Sequence, residues 1–232
     1  MPTESHSAKG VSETLSGTAY ELLRDDIVAG RFEPESKLLI EELCKTYKIG
    51  ASPIREALSR LAEGNFVISE PQRGYWVAPV SLSEYHDLVN QRLFLESAAL
   101  TDSIEHGDVE WESDVVAAYH RLARAHAKLA DGTQESFIAW AKEDRAFHLA
   151  TIANCTSPWL KRFCRLVLNQ LARYHRQRYL SGVAPGDQTD QEHARFMRAV
   201  VERDAEKAVV LLKKHIRAVA RRLATDHLPV SI

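Results

Sequence analysis

Cysteine is scarce in this chain: Cys44, Cys155 and Cys164 are three in 232 residues, an odd number with no CxxC pair. That excludes a disulfide framework and a thiolate zinc cluster, and it suits a reducing compartment. Long apolar runs are missing too. No stretch approaches the roughly 18 residues a membrane helix needs. The first fifteen residues, MPTESHSAKGVSETL, are polar, so neither a span nor a signal peptide is expected and the expectation is a cytoplasmic protein. Positive charge is not in excess: 30 Lys and Arg face 32 Asp and Glu, for a net charge of -2. Residues 1–78 hold nine basic against twelve acidic side chains, which excludes a strong non-specific grip on a polyanion. No internal repeat or low-complexity tract stands out, and no strand-like run is found beyond residue 80.

The residues that are present divide the chain in two. A hydrophobic content of 45% over 232 residues suffices for two modest cores. Residues 40–77, IEELCKTYKIGASPIREALSRLAEGNFVISEPQRGYWV, read as two short helices around a tight turn and then a hairpin. Ile40, Leu43 and Tyr47 recur at helical spacing, with Lys45 and Lys48 off the apolar stripe. Ile49-Gly50 supplies the turn, Ser52 suits the N-cap, and Pro53 suits the first helical position. Ile54, Leu58 and Leu61 make the next stripe, leaving Arg55, Ser59 and Ala62 on other faces, and Gly64 ends the helix. Phe66-Val67-Ile68 and Tyr75-Trp76-Val77 are strand-prone runs around Glu70-Pro71-Gln72-Arg73-Gly74. The pattern is that of a winged helix-turn-helix, whose second helix enters the DNA major groove while its wing touches the neighbouring backbone. Over 45–73, five cations (Lys45, Lys48, Arg55, Arg60, Arg73) outnumber three acids. A few phosphate contacts are therefore expected per head, with useful affinity coming from two heads on one duplex. The alternative is a structural helix pair in which Arg55 pairs with Glu56 or Glu63.

From residue 81 the punctuation is helical throughout. Ser81 and Glu84 form a capping-box pair opening a helix to His106, which Gly107 stops. Further helices are expected from about Glu110 to Ala130, from Glu135 to Ala153, and from Ser157-Pro158 to Leu180. Thr189 and Glu192 are read as caps of a fifth helix ending near Glu202, and Asp204 opens a sixth to about Asp226. The fold class is thus mainly α: a winged helix-turn-helix over 15–78, a linker at 79–82, and an antiparallel bundle of about six helices over 83–228, with residues 1–14 a loose arm.

Inside that bundle Asp144 and His148 stand four apart on one helix, so their heads can reach the same ion. His193 and His215 lie on the last two helices. Three imidazoles and one carboxylate suit zinc, nickel, manganese or iron, with positions left for water or an incoming carboxylate. Arg92 could hold that carboxylate through two parallel hydrogen bonds, although an ion pair with Glu96 accounts for it equally. Asn169 and Arg173 are weaker candidates, since Arg173, Arg176 and Arg178 also fit a solvated face. A metal-dependent enzyme would use the same Asp/His set to activate water, but no further carboxylate is spaced to act as its general base. A third reading makes the metal itself the signal.

The order TAYELLRDDIVAG (a helix over 18–29), RFEPESKL, PIREALSRLAEGNFV and RGYWVAPVS resembles the N-terminal domain of GntR-family transcription regulators without a gap to about residue 80. The remainder of the chain is similar to the helical FCD effector domain of the FadR-like branch, including Asp144-x3-His148 in the context Arg145-Ala146-Phe147-His148-Leu149-Ala150, the two later histidines, and Arg92-x3-Glu96. The resemblance implies a DNA-binding regulator, most simply a repressor, acting as a homodimer on a pseudo-palindromic operator. It implies a divalent metal (zinc first) at Asp144, His148, His193 and His215, and a small carboxylate effector. Lys45, Ser52, Arg55, Ser59, Gln72, Arg73 and Gly74 are the implied DNA contacts. The chain departs from the family at Gly50-Ala51-Ser52-Pro53-Ile54-Arg55, where an arginine usual before the proline is missing, and at Glu41, where relatives often carry a base. The operator therefore does not carry over. Asp108-Val109-Glu110-Trp111-Glu112, with the variation before the recognition helix, is similar to the member induced by carbon starvation, which implies a dicarboxylate such as glutarate.

Overall fold

The computed structural model describes residues 14–180 and 185–224, with the side chains of 175–180, 223 and 224 left out of the description. Residues 1–13 of the expected loose arm (1–14), the side chains of Arg176 and Arg178, and any helix beyond Ala224 towards Asp226 therefore lie outside the described residues. The chain divides into two compact units, with the main boundary between Ala78 and Pro79. No helix among the described residues is long and apolar enough to cross a membrane.

The first unit holds α1 (Leu15–Val28), β1 (Lys37–Leu38), α2 (Ile40–Tyr47), α3 (Ala51–Glu63), β2 (Val67–Glu70) and β3 (Gly74–Val77). Helix α1 starts three residues before the expected 18, because the Thr14 hydroxyl accepts from the Gly17 N–H at 3.1 Å, as an N-cap does. Its stripe Ser16, Ala19, Leu23 and Ile27 is buried, and the Tyr47 hydroxyl ties α2 to Asp26 of α1 at 2.5 Å. Ile54, Ala57, Leu58 and Leu61 of α3 are fully buried, as their spacing requires.

Three local readings are corrected. The left-handed residue between α2 and α3 is Lys48 (φ 56°), while Gly50 is extended and forms the N-cap of α3 without a side-chain bond. Ser52 and Pro53 stand one and two positions inside the helix. Proline costs nothing there, because the first four helical N–H groups have no intrahelical partner. At the far end Gly64 does end α3, but the left-handed turn falls on Asn65 (φ 58°). The expected hairpin forms, β2 antiparallel to β3 with Ile68 opposite Trp76, and β1 adds a third strand to the sheet in the order β1-β3-β2, with Lys37 opposite Trp76 and Leu38 opposite Tyr75. Two residues are too few to show a period, so only the pairing reveals β1.

The second unit is all-helical among its described residues: α4 (Leu82–His106), α5 (Val109–Ala127) continued by a 3-10 turn (Lys128–Asp131), α6 (Gln134–Thr151), α7 (Pro158–Leu180), α8 (Asp187–Val201) and α9 (Ala205–Ala224). Five of these six described helices start at a side-chain cap, α8 after Gly186 being the exception. Ser81 accepts from the Glu84 N–H at 3.1 Å, Asp108 from the Trp111 N–H at 2.7 Å, Thr133 from Ser136 at 3.1 Å, Ser157 from Leu160 at 3.2 Å and Asp204 from Lys207 at 3.0 Å. The reciprocal half of the expected capping box is absent, because the Glu84 carboxylate takes the Tyr174 hydroxyl of α7 instead. Helix α8 begins two residues before Thr189, so Thr189 and Glu192 are not its caps. In packing, α4 lies on α7 and α9, α5 on α6 and α8, α6 on α7, and α8 on α9.

Candidate functional site

The centre of the bundle is polar where its pattern demands apolar residues. On α6 the buried positions Phe137, Trp140, Ala141, Asp144, Phe147, His148 and Thr151 lie along one helical stripe. Asp144 and His148 therefore sit where a core residue belongs. His193 interrupts the stripe Thr189, Phe196, Val200 of α8, and His215 the stripe Ala208, Leu212, Ile216 of α9. The fold brings all four predicted residues together: one ligand atom from each lies within 4.8 Å of the others, and all four side chains are buried. Phe147 and Phe196 wall the cluster, with Phe147 edge-on to His193 at 5.7 Å and to Phe196 at 5.8 Å between ring centres.

The donor set fits a divalent ion. His148 Nε2 and both ring nitrogens of His193 are buried without a hydrogen-bond partner. His193 Nε2 does lie 3.1 Å from Asp144 Oδ1, an ion-pair distance but out of line for a hydrogen bond. Leaving a buried polar atom unsatisfied costs about 1–3 kcal/mol, so three of them consume a sizeable part of the roughly 5–15 kcal/mol that keeps a domain folded. A metal ion accepting the lone pairs of His148 Nε2 and of one His193 nitrogen removes that cost for two of the three. His148 and His215 are also pushed towards the neutral form that an ion requires. Burial, then the charge of Arg92, lowers the His148 pKa. Burial, then His193 and His148, takes that of His215 well below the ordinary histidine value.

Around this set stand two carboxylates, Glu96, expected as the partner of Arg92, and Glu192, expected as a helix cap. Glu96 Oε1 faces His148 Nδ1 at 2.7 Å while its Oε2 accepts from Arg92 Nε at 2.6 Å. Burial raises the Glu96 pKa, but Arg92 and His148 outweigh it and hold the carboxyl down at about 2. Glu192 Oε2 faces His215 Nδ1 at 3.0 Å, and Arg222 of α9 donates to Thr189 at 2.9 Å beside it. The signal for Glu192 is its position one residue before His193, facing α9; a capping reading obscures it.

The three effector candidates are placed differently. Arg92 forms the ion pair with Glu96, yet its Nη2 is buried with no hydrogen-bond partner. Asn169 accepts from the guanidinium of Arg145, the residue after Asp144. Arg173 donates to Gln170 at 2.7 Å and to the Pro79 carbonyl.

In the first unit Arg55 and Ser59 are exposed one turn apart on α3, opposite its buried stripe. Among the described residues Arg55 makes no ion pair. It lines a groove of about 400 Å³ together with Lys37, Lys45, Gly74 and Tyr75. At the hairpin tip Gln72 has φ 62° and Gly74 φ 115°. Arg73 is exposed, pairing with Glu70 at 2.5 Å and lying 5.8 Å over the Trp76 ring.

A winged helix-turn-helix followed by a second unit that is all-helical among its described residues is the architecture of a DNA-binding transcription regulator. The chain belongs to the GntR family of bacterial regulatory proteins, whose profile matches residues 15–77, with an FCD domain over 87–218. It is 37% identical over 88% of its length to 83% of the uncharacterized HTH-type transcriptional regulator BphR of Paraburkholderia xenovorans strain LB400. It is 34% identical over 85% of its length to 90% of the HTH-type transcriptional repressor GlaR of Escherichia coli strain K12. Among solved structures, Escherichia coli McbR/YncC superposes with a TM-score of 0.79 at 18% identity, covering 91% of this chain and 98% of its own. A GntR regulator from Rhodococcus sp. RHA1 gives 0.74 at 22% identity, covering 92% and 99%; both likenesses concern the fold. These relatives are regulators, so the enzyme reading of the Asp/His set falls away.

Proposed function

We propose that this regulator is a cytoplasmic repressor, acting as a homodimer on a pseudo-palindromic operator, whose DNA affinity is set by a small carboxylate bound beside a divalent metal. The observation that carries the reading is the set of orphaned imidazole nitrogens enclosed by Asp144, His148, His193 and His215. Zinc suits three imidazoles and one carboxylate best, with nickel, manganese and iron as competitors. An ion held there that takes more than four ligands would keep positions for a carboxylate oxygen. Arg92 offers its unpartnered Nη2 to the far end of a dicarboxylate such as glutarate. Asn169, held by Arg145, is the second candidate, and Arg173, committed to Gln170 and Pro79, is the third. On the DNA side Arg55 and Ser59, with Lys45 and Ser52, face bases and phosphates of the major groove, while Gln72, Arg73 and Gly74 of the wing reach the adjacent backbone.

The test is calorimetric titration of glutarate and related dicarboxylates into the zinc-loaded protein and into Arg92→Lys. Lysine keeps the charge facing Glu96 but lacks the planar fork. Losing a charge-assisted hydrogen bond is worth about 1.5–3 kcal/mol, so acid binding should weaken about 10- to 150-fold while operator affinity without acid stays unchanged. Acid binding equal to that of the parent protein would confine Arg92 to its pair with Glu96.

A further inference from the structure

We infer that the metal centre is built asymmetrically: Glu96 and Glu192 hold His148 and His215 with Nε2 turned inward as a preformed half-site, and His193 is the unbraced ligand that closes it. The inference rests on the metal reading above and extends it to the residues behind the ligands. Carboxylate oxygens only accept, so a carboxylate 2.7 Å from His148 Nδ1 and another 3.0 Å from His215 Nδ1 place the ring proton on Nδ1 in both residues. The lone pair of each is then on Nε2. A hydrogen bond from the far ring nitrogen fixes both the tautomer and the ring plane of a metal-binding histidine.

His193 has no such partner. Both its ring nitrogens are buried without a hydrogen bond; the carboxylate against it, Asp144 Oδ1 at 3.1 Å from Nε2, is itself a member of the ligand set, and the rings of His215 and Phe147 lie at 4.4 Å and 5.7 Å between centres. Among the described residues no carboxylate behind the set holds a ring nitrogen of His193 as Glu96 and Glu192 hold those of His148 and His215. The two braces are also anchored unlike one another. Glu96 is 1% exposed and shares its second oxygen with Arg92 on its own helix. Glu192 leads towards Arg222 and Thr189, which join the start of α8 to the end of α9. Of the three imidazoles, His193 is therefore the one whose position the ion must determine.

Long-range 15N–1H correlation spectra of histidine-labelled, metal-free protein read the tautomers directly. The expected result is a fixed Nδ1–H form for His148 and His215 and an averaged signal for His193. Nε2–H forms or averaging at all three would overturn the inference. Chelator competition with zinc supplies the second arm. Glu192→Ala should weaken zinc binding about 10- to 100-fold, with Glu192→Gln, which can still accept a hydrogen bond, recovering part of the loss; zinc affinity unchanged in Glu192→Ala would overturn the role of Glu192. Glu96→Gln should act in the same direction, and because it leaves a buried Arg92 without its counter-charge, the Glu192 variants carry the test if it fails to fold. A parent protein that takes up no zinc would sink the metal reading alone, and is told apart because the tautomers are read without metal.

Discussion

His193→Ala is expected to lower metal affinity on the order of 100- to 1000-fold, since four ligands share roughly 10–16 kcal/mol in structural zinc sites and each accounts for about 3–4 kcal/mol. The same substitution should cost the metal-free protein little in hydrogen bonding, because neither ring nitrogen of His193 has a partner to lose. His148→Ala is the contrasting variant. It removes the same kind of ligand but also strips Glu96 of one of its two cationic or donor neighbours, so the metal-free protein should unfold at a lower temperature than His193→Ala. Added zinc at about 1000 times the parent's dissociation constant should stabilise the parent by about 4 kcal/mol and each variant by only about 0.4–1.4 kcal/mol. Thermal unfolding with and without zinc, together with elemental analysis, checks both statements. One metal per chain retained in His193→Ala would remove the residue from the site.

Arg55→Ala should weaken operator binding by about 1–3 kcal/mol per half-site, or ~2–6 kcal/mol for a dimer on both, and should relax the preference at the base it reads. The reasons lie in its placement: α3 buries Ile54, Ala57, Leu58 and Leu61, which turns Arg55 and Ser59 outward. Arg73 provides the comparison. Exposed at the wing tip and partly spent on Glu70, it should act as a phosphate contact, so Arg73→Ala should weaken binding alike on all sequences and reduce the salt slope by about one. Affinities from fluorescence anisotropy on the operator and on scrambled duplexes separate the two behaviours. Equal losses on every sequence for Arg55→Ala would deny it a base contact.

Much of this architecture is legible in the amino-acid order, and the pattern of success is physical. Long helices with strong punctuation are placed to within a residue or two: Ser81 and Gly107 bracket α4, and Ser157-Pro158 opens α7. The clustering of the four buried residues is legible because Asp144-x3-His148 is a short-range signal, strengthened by family resemblance, and all four do meet. The features that escape depend on tertiary partners. The left-handed conformations fall on Lys48 and Asn65, whereas glycine is the residue that advertises them. Strand β1 exists only through its pairing with β3. Helix α5 does not run on to Ala130 but tightens into a 3-10 turn at Lys128 before Gly132 reverses the chain. Thr189 and Glu192 have the spacing of caps, yet α8 begins at Asp187 and directs them to Arg222 and His215. A capping signature and a carboxylate that faces a buried histidine look alike in one dimension.

The central claim, that a carboxylate at the metal centre of the helical unit controls how tightly the winged unit holds DNA, is a statement about linkage between two ligands. It is tested most directly by measuring operator affinity in three states: metal-stripped, zinc-loaded, and zinc-loaded with a saturating C3 to C6 dicarboxylate, on an operator recovered by selection from random duplexes. Coupling of about 1–3 kcal/mol predicts a change of about 5- to 150-fold between the second and third states, absent when the metal is stripped. One affinity common to all three states, for every acid in the series, would contradict the account.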